Sequence, residues 1–383
     1  MNHVYLDHAA ATPVDKAVIA AMLPYLEEQF YNPSAVYDAG RQVRAAVDAA
    51  RATVAHYFGS RPAEVIFTAG ATEANNLAIR GVMDSVLRRF PDAELLVSAV
   101  EHDAVLAPAE RYTHRIIPVT AGGVVEPAAI ENQIDDQTAL VSIMYVNNEI
   151  GTIQPIQDIG RLLESVRKDR KARGITMPLY FHSDAAQAAN YLDLQAARLG
   201  VDLLTINGGK IYGPKQTGAL YVRAGVDVTA QISGGGQEQG KRSGTENVAG
   251  IIGIAAALDI AQQTRHAESK RLTELQQYFF KQLAVKIPGA VVNGSQAKRL
   301  PNNLHITLPG SDNERLLFQL DAAGIMAAAG SACNASSDTP SHVLRAIGLS
   351  DDAARASLRL TMGRATTQAD LDYVIVTLTQ LAK

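Results

Sequence analysis

Glu64-Val-Ile-Phe-Thr-Ala-Gly-Ala-Thr-Glu-Ala-Asn-Asn76 reads as a buried strand, a glycine turn and the opening of a helix. A short apolar run rich in β-branched and aromatic residues suits a strand covered on both faces, and the glycine after it punctuates the change of period. The unit recurs outward along the chain. Expected strands lie at 94–99, 115–119, 139–146, 178–183, 202–206 and 218–222, with amphipathic segments between them. Upstream, residues 41–58 place Val43, Val47, Ala50, Val54 and Phe58 on one helical face, and Gly59 follows where a helix C-terminus favours a left-handed residue. Seven strands alternating with helices predict an α/β fold with one mainly parallel sheet flanked by helices. From about residue 245 the texture changes to long helical stretches. The strands expected there are Val291-Val-Asn293, Asn303-Leu-His-Ile-Thr-Leu308 and Ser357-Leu-Arg-Leu-Thr361, before a final helix from about 367. This part reads as a smaller α+β domain, with 15–258 as the large domain and 1–14 plus 259–383 as the small one.

A chain of 383 residues, 47% hydrophobic and 19% charged, has material for a large core. A net charge of -4 argues against general attraction to nucleic acid. No run of about 18 apolar residues or signal-peptide pattern occurs, so no membrane association is expected and the cytoplasm is the default. One cysteine excludes an intramolecular disulfide framework and suits a reducing compartment, and no Cys/His cluster has structural-zinc spacing.

In open parallel sheets ligands collect beyond the carboxyl ends of the strands. Gly70-Ala71-Thr72 offers backbone N–H groups and a hydroxyl at a helix start: an anion seat, or a plain turn with a threonine cap. His102, after Leu95–Ala99, can stack on a flat ring or move a proton, or it can cap the next helix. Asn147-Asn148-Glu149 follows Val141–Val146 and is a polar cluster or only a turn. Asp184 ends Leu179–Ser183 with Gln187 three residues on; it can hold a protonated heteroaromatic nitrogen or act as an N-cap. Lys210 is delivered after Val201–Ile206 by Asn207-Gly-Gly209, an unusual setting for a surface lysine, and suggests a Schiff base. Cys333, within Ala327-Ala-Ala-Gly-Ser-Ala-Cys-Asn-Ala-Ser-Ser337, has neighbours too small and polar to favour a core site, so an exposed reactive thiol is expected over a buried one.

A Schiff-base lysine, an acid for a pyridinium nitrogen, a phosphate cradle and a ring-stacking histidine are the parts of a pyridoxal 5′-phosphate enzyme. Over nearly its whole length the sequence resembles the cysteine desulfurases of the class V aminotransferase family. The resemblance rests on Tyr5-Leu-Asp-His-Ala-Ala-Ala-Thr12, Asn32-Pro-Ser34, Thr68-Ala-Gly-Ala-Thr-Glu73, Glu101-His102, Val146-Asn-Asn-Glu-Ile-Gly151, Asp184-Ala-Ala-Gln187, Lys210-Ile-Tyr-Gly-Pro-Lys215, Arg242-Ser-Gly-Thr245, Gly330-Ser-Ala-Cys333 and Leu360-Thr-Met-Gly-Arg364.

The resemblance implies the aspartate aminotransferase-like fold of type I. It implies Lys210 as the Schiff-base lysine and proton carrier, Asp184 as the pyridinium partner, Gln187 and Asn148 near the ring oxygen, and His102 over the ring. Ala71, Thr72 and Asn207 would serve the phosphate, with Thr245 reaching in from a second subunit of a homodimer. Arg364 would grip the substrate carboxylate, helped by Asn148 and Asn32. L-cysteine would pass through a ketimine, and Cys333, in the long-loop Gly-Ser-Ala-Cys subgroup, would take its sulfur as a persulfide and leave alanine. A carrier loop would then bring that sulfur to an acceptor protein, for iron-sulfur cluster assembly or nucleic-acid thiolation or phosphorothioation. A selenocysteine lyase, another class V lyase and a non-catalytic scaffold for sulfur-transfer partners are the competing readings.

The chain departs from the family in three places. Asn207-Gly-Gly-Lys210 stands where relatives usually read Ser-x-His-Lys, which implies weaker cofactor retention. Tyr37 stands where a histidine is usual, and Asn334 replaces a small hydroxyl residue. These changes suggest a branch specialised for one nucleic-acid modification system.

Overall fold

The computed structural model describes residues 3–330 and 340–381. Twelve strands run through the described residues: β1 (Val4–Tyr5), β2 (Val65–Thr68), β3 (Glu94–Ser98), β4 (His114–Ile117), β5 (Thr138–Ser142), β6 (Tyr180–Asp184), β7 (Leu203–Asn207), β8 (Gly218–Val222), β9 (Val291–Val292), β10 (Asn303–Thr307), β11 (Ile325–Met326) and β12 (Ser357–Thr361). Seven of them form one sheet in the order β2-β8-β7-β6-β5-β3-β4. Every strand expected for the large sheet is present. The sheet is mainly parallel, with β8 antiparallel to both β2 and β7. The remaining strands form a three-stranded antiparallel sheet, β12-β10-β9, and a parallel pair, β1-β11.

Strand periodicity explains how the large sheet buries both faces. Val65 and Phe67, Leu96, Val141, Leu204 and Ile206 join one apolar cluster, while the intervening Ile66, Leu95 and Val97, Leu140 and Leu203 join the other. The Asp38–Phe58 helix covers the first face through Val47, Val54 and Phe58, as its apolar stripe predicts, and Gly59 ends it at φ 62°. The Ala71–Val86 helix covers the second with Ala74, Leu77, Ala78 and Val82. Phe58 is completely buried, so truncation to alanine costs about 3–5 kcal/mol. The same helix hides an ion pair inside its apolar stripe: Arg51 meets Glu238 with two hydrogen bonds of 2.6 and 2.7 Å, and Glu238 also accepts from the Phe67 amide.

The Val248–Lys286 helix runs from the large sheet to the small one. Its first half buries Ile251, Ile254 and Leu258, and its second half buries Leu272, Phe279 and Leu283. No helix among the described residues is long and apolar enough to cross a membrane.

Candidate active site

A cavity of about 240 Å³ opens beyond the carboxyl ends of the large sheet. Its walls include Ala71 and Thr72 after β2, His102 after β3, Asn148 after β5, Asp184 at the end of β6, then Gln187, Asn207 and Lys210. A wider opening of about 730 Å³ shares Ala71, Thr72, Asn207 and Lys210 with it and adds Gly70, Gly209 and Lys215. Other residues singled out from the sequence lie apart. Thr245 borders a separate cavity of about 230 Å³ beside Arg242 and Glu246, and Asn32 and Arg364 line none of these three. Cys333, with Asn334, lies outside the described residues.

Asp184 is buried and has a hydrogen bond on each oxygen. Oδ1 accepts from the Ala186 amide at 2.9 Å, and Oδ2 accepts from Asn75 Nδ2 at 2.6 Å. Asn75 is fully buried, and its Oδ1 has no hydrogen-bond partner among the described residues. It was not singled out from the sequence, although its place one turn after Ala71 is an i, i+4 signal.

Behind the cavity, Glu101 is buried with Oε1 accepting from Ser98 Oγ and the Met144 amide at 2.5 and 2.7 Å. Desolvation pushes its carboxyl up to about 8; the two hydrogen bonds pull the other way, and the Asp184 charge adds to the rise. At neutral pH Glu101 is therefore a neutral acid behind the Asp184 carboxylate.

His102 both caps a helix and faces the cavity. Its Nδ1 accepts from the Ala104 amide at 3.0 Å at the head of the Asp103–Ala109 helix. An accepting Nδ1 carries no proton, so in the neutral ring the proton sits on Nε2. Capping thus fixes the ring's orientation as well as the helix start.

Lys210 closes a single 3₁₀ turn, Gly208–Lys210, directly after β7. A Cβ on Gly208 would lie 2.1 Å from Thr217 Oγ1, so glycine is required there, whereas one on Gly209 would find its nearest neighbour at 3.6 Å. Lys210 Nζ donates to the Ala10 carbonyl at 2.5 Å. That carbonyl belongs to a segment that seams the site together. Asp7 pairs with Arg359 at 2.8 Å, the Ala9 carbonyl accepts from Gln187 at 3.0 Å, and Thr12 donates its hydroxyl to the Gly209 carbonyl at 3.1 Å.

The arginine that reaches the cavity is Arg359, in the middle of β12, and it is 1% exposed. Besides Asp7, it donates to the Asn148 carbonyl at 3.3 Å, while its Nε has no hydrogen-bond partner among the described residues. Arg364, the arginine expected at the substrate carboxylate, is held elsewhere: it pairs with Asp15 at 2.8 Å and lies 4.0 Å over the Tyr212 ring.

Glu149 links the cavity's rim to the borders of the Cys333 segment. Its Oε2 accepts from Ser341 Oγ at 2.6 Å, and a Cβ on Gly330 would lie 3.3 Å from the same oxygen.

Residues 4–374 match the family model of class-V aminotransferases. Cysteine desulfurase IscS of Dictyoglomus turgidum is 41% identical over 379 residues, covering 98% of this chain and 93% of that protein. Among solved structures, a NifS-like protein superposes with a TM-score of 0.90 at 30% identity, covering 99% of each chain. SspA in complex with cysteine does so with a TM-score of 0.79 at 34% identity, over 94% of this chain and 98% of that one. The chain belongs to the class-V aminotransferase family.

Proposed function

We propose that the chain is a pyridoxal 5′-phosphate-dependent cysteine desulfurase that converts L-cysteine to L-alanine and holds the sulfur on Cys333. The observation that carries this reading is the convergence of Lys210, Asp184, Thr72 and Arg359 on one cavity, in a chain whose relatives include cysteine desulfurases.

The residues present fit the cofactor. The Ala71–Val86 helix starts at Gly70 with no side-chain cap, and a Cβ on Gly70 would meet nothing within 4 Å, which leaves the first amides and the Thr72 hydroxyl open to a phosphate. Across the cavity, Asp184 presents a carboxylate fixed by two donors, suited to a pyridinium N–H. Lys210 supplies the amine between them. Bound there, pyridoxal phosphate supplies the electron sink for the pair left when the substrate Cα–H bond breaks.

The chain's own groups do the rest. Lys210 Nζ takes the Cα proton and returns it. Arg359 orients the substrate carboxylate with its planar fork, while Asp7 keeps that guanidinium in place. His102 holds an Nε2 proton at the cavity wall. The Cys333 thiolate attacks the substrate sulfur, so that an S–S bond forms and the C–S bond breaks, giving an enzyme persulfide and alanine. An acceptor thiol then takes the outer sulfur. The acceptor is a protein serving iron-sulfur cluster assembly or nucleic-acid sulfur modification.

A homodimer in which Thr245 serves the partner's phosphate fits its separate cavity. A thiol nucleophile suits the reducing cytoplasm, and a division into large and small domains falls within the Val248–Lys286 helix.

Incubation with L-cysteine and a thiol reductant tests the reading. Wild type is expected to release alanine and sulfide in equal amounts, and Cys333→Ser to release neither above background while its visible cofactor absorbance persists. Sulfide release by Cys333→Ser at the wild-type rate would overturn the nucleophile assignment.

A further inference from the structure

We infer that Gln216 is a ligand of the cofactor phosphate, donating its side-chain amide to the anion seated on the Ala71–Val86 helix; this rests on the cofactor reading above. The backbone gives the first indication. Gln216 has φ 56°, the left-handed region that glycine enters freely and a longer residue enters only at a cost. Such strain in a non-glycine residue concentrates where the side chain is needed.

Its position supplies the use. Gln216 lies in the connection from the Lys210 turn to β8, and Gly218 at the start of β8 packs directly on the helix cap. A Cβ on Gly218 would lie 2.6 Å from the Gly70 carbonyl carbon and 2.8 Å from its Cα. Gln216, two residues earlier, borders the same wide opening as Gly70, Thr72, Asn207 and Lys210. It also borders the Thr245 cavity, so it stands on the wall between the two.

The neighbouring chemistry leaves a place for an amide donor. Gly209 brings no side chain to the seat, and the space beside it is bounded by Lys215 Cα and Cγ at 3.7 Å, the residue next to Gln216. Asn207 spends its Oδ1 on the Gly209 amide at 3.1 Å. Gln216 is exposed, and no hydrogen bond involves its side chain among the described residues. An amide N–H to a phosphate oxygen is a charge-assisted hydrogen bond, and its loss weakens binding by about tenfold or more.

The test compares wild type, Gln216→Gly and Gln216→Glu, each as full-length protein stripped of cofactor and titrated with pyridoxal phosphate or with pyridoxal, which lacks the phosphate. For Gln216→Gly we expect pyridoxal phosphate to bind about tenfold more weakly and pyridoxal as in wild type. Without cofactor, that variant should melt about 2 °C higher because the strain is relieved. Gln216→Glu, which sets a like charge against the phosphate, should bind pyridoxal phosphate more weakly than Gln216→Gly.

Unchanged pyridoxal phosphate affinity in Gln216→Gly would overturn the inference, and so would equal weakening toward both ligands. Failure of wild type to develop a visible absorbance that Lys210→Ala abolishes would instead overturn the cofactor reading, and the inference with it.

Discussion

The large and small sheets bring residues to the cavity in different ways. In the seven-stranded sheet, Thr72, His102, Asn148 and Lys210 follow their strands and Asp184 ends one, so each sits where parallel strands stop and helices begin. In the three-stranded sheet, Arg359 reaches the same cavity from the centre of β12, between the fully buried Leu358 and Leu360. An antiparallel sheet has no common carboxyl end, so position along the strand matters less than face. Ser357, Arg359 and Thr361 alternate with the two leucines on the opposite face, and from that face Arg359 lines the cavity while the Ser357 and Thr361 hydroxyls bond to Thr307 and to the Ala9 amide. A charge embedded this way needs a partner, which Asp7 provides, whereas a charge at a strand end has water or ligand nearby.

The comparison can be broken at the large sheet first. Lys210→Ala should abolish the visible cofactor absorbance and lower kcat by at least about 10⁴-fold, measured as alanine release. Asp184→Asn, which keeps shape and removes charge, should lower kcat by roughly 10²- to 10³-fold while cofactor stays bound. Asn75→Ala acts through Asp184, and about a tenfold loss in kcat/KM is expected, with a shifted cofactor absorbance as the sign that the carboxylate has moved.

The smallest effect concerns pH. Between 4.5 and about 8 folded Glu101 keeps a proton that the unfolded chain releases, so this residue's contribution to stability falls as pH rises through that window. Glu101→Gln should flatten the alkaline limb of a urea-midpoint profile and leave the acid limb. The acid limb has a different source. Burial holds His182 and His305 at about 3, so below 6.5 the unfolded chain binds protons that these histidines refuse, and stability falls with pH.

The large sheet was legible because strands buried on both faces leave continuous apolar runs that glycine turns interrupt. Its strand directions were not: the run at 218–222 shows where β8 lies, but nothing in its pattern says that it runs against β2 and β7. That Thr72, His102, Asn148 and Lys210 come together at one cavity was legible for the same reason as the strands they follow.

Two kinds of residue escaped. Asp7 and the carbonyls of Ala9 and Ala10 act through tertiary contacts that a short N-terminal segment does not announce. Arg359 stands directly before the Leu360-Thr-Met-Gly-Arg364 motif, and the family resemblance selects Arg364, which the structure places on Tyr212 and Asp15. The alternation Ser357-Leu-Arg-Leu-Thr361 was the signal for Arg359, because a mid-strand arginine between buried leucines requires a buried use.

Steady-state kinetics with L-cysteine on Arg359→Lys and Arg364→Ala test this most directly. Arg359→Lys keeps the charge beside Asp7 but loses the bidentate fork, and the account predicts a drop in kcat/KM of about 10²-fold, carried mainly by KM, with the cofactor spectrum intact. Arg364→Ala should stay within about threefold of wild type, since the side chain it removes holds Asp15 and Tyr212 outside the cavity. The reverse pattern, with Arg364→Ala losing its hold on cysteine and Arg359→Lys retaining it, would contradict the account.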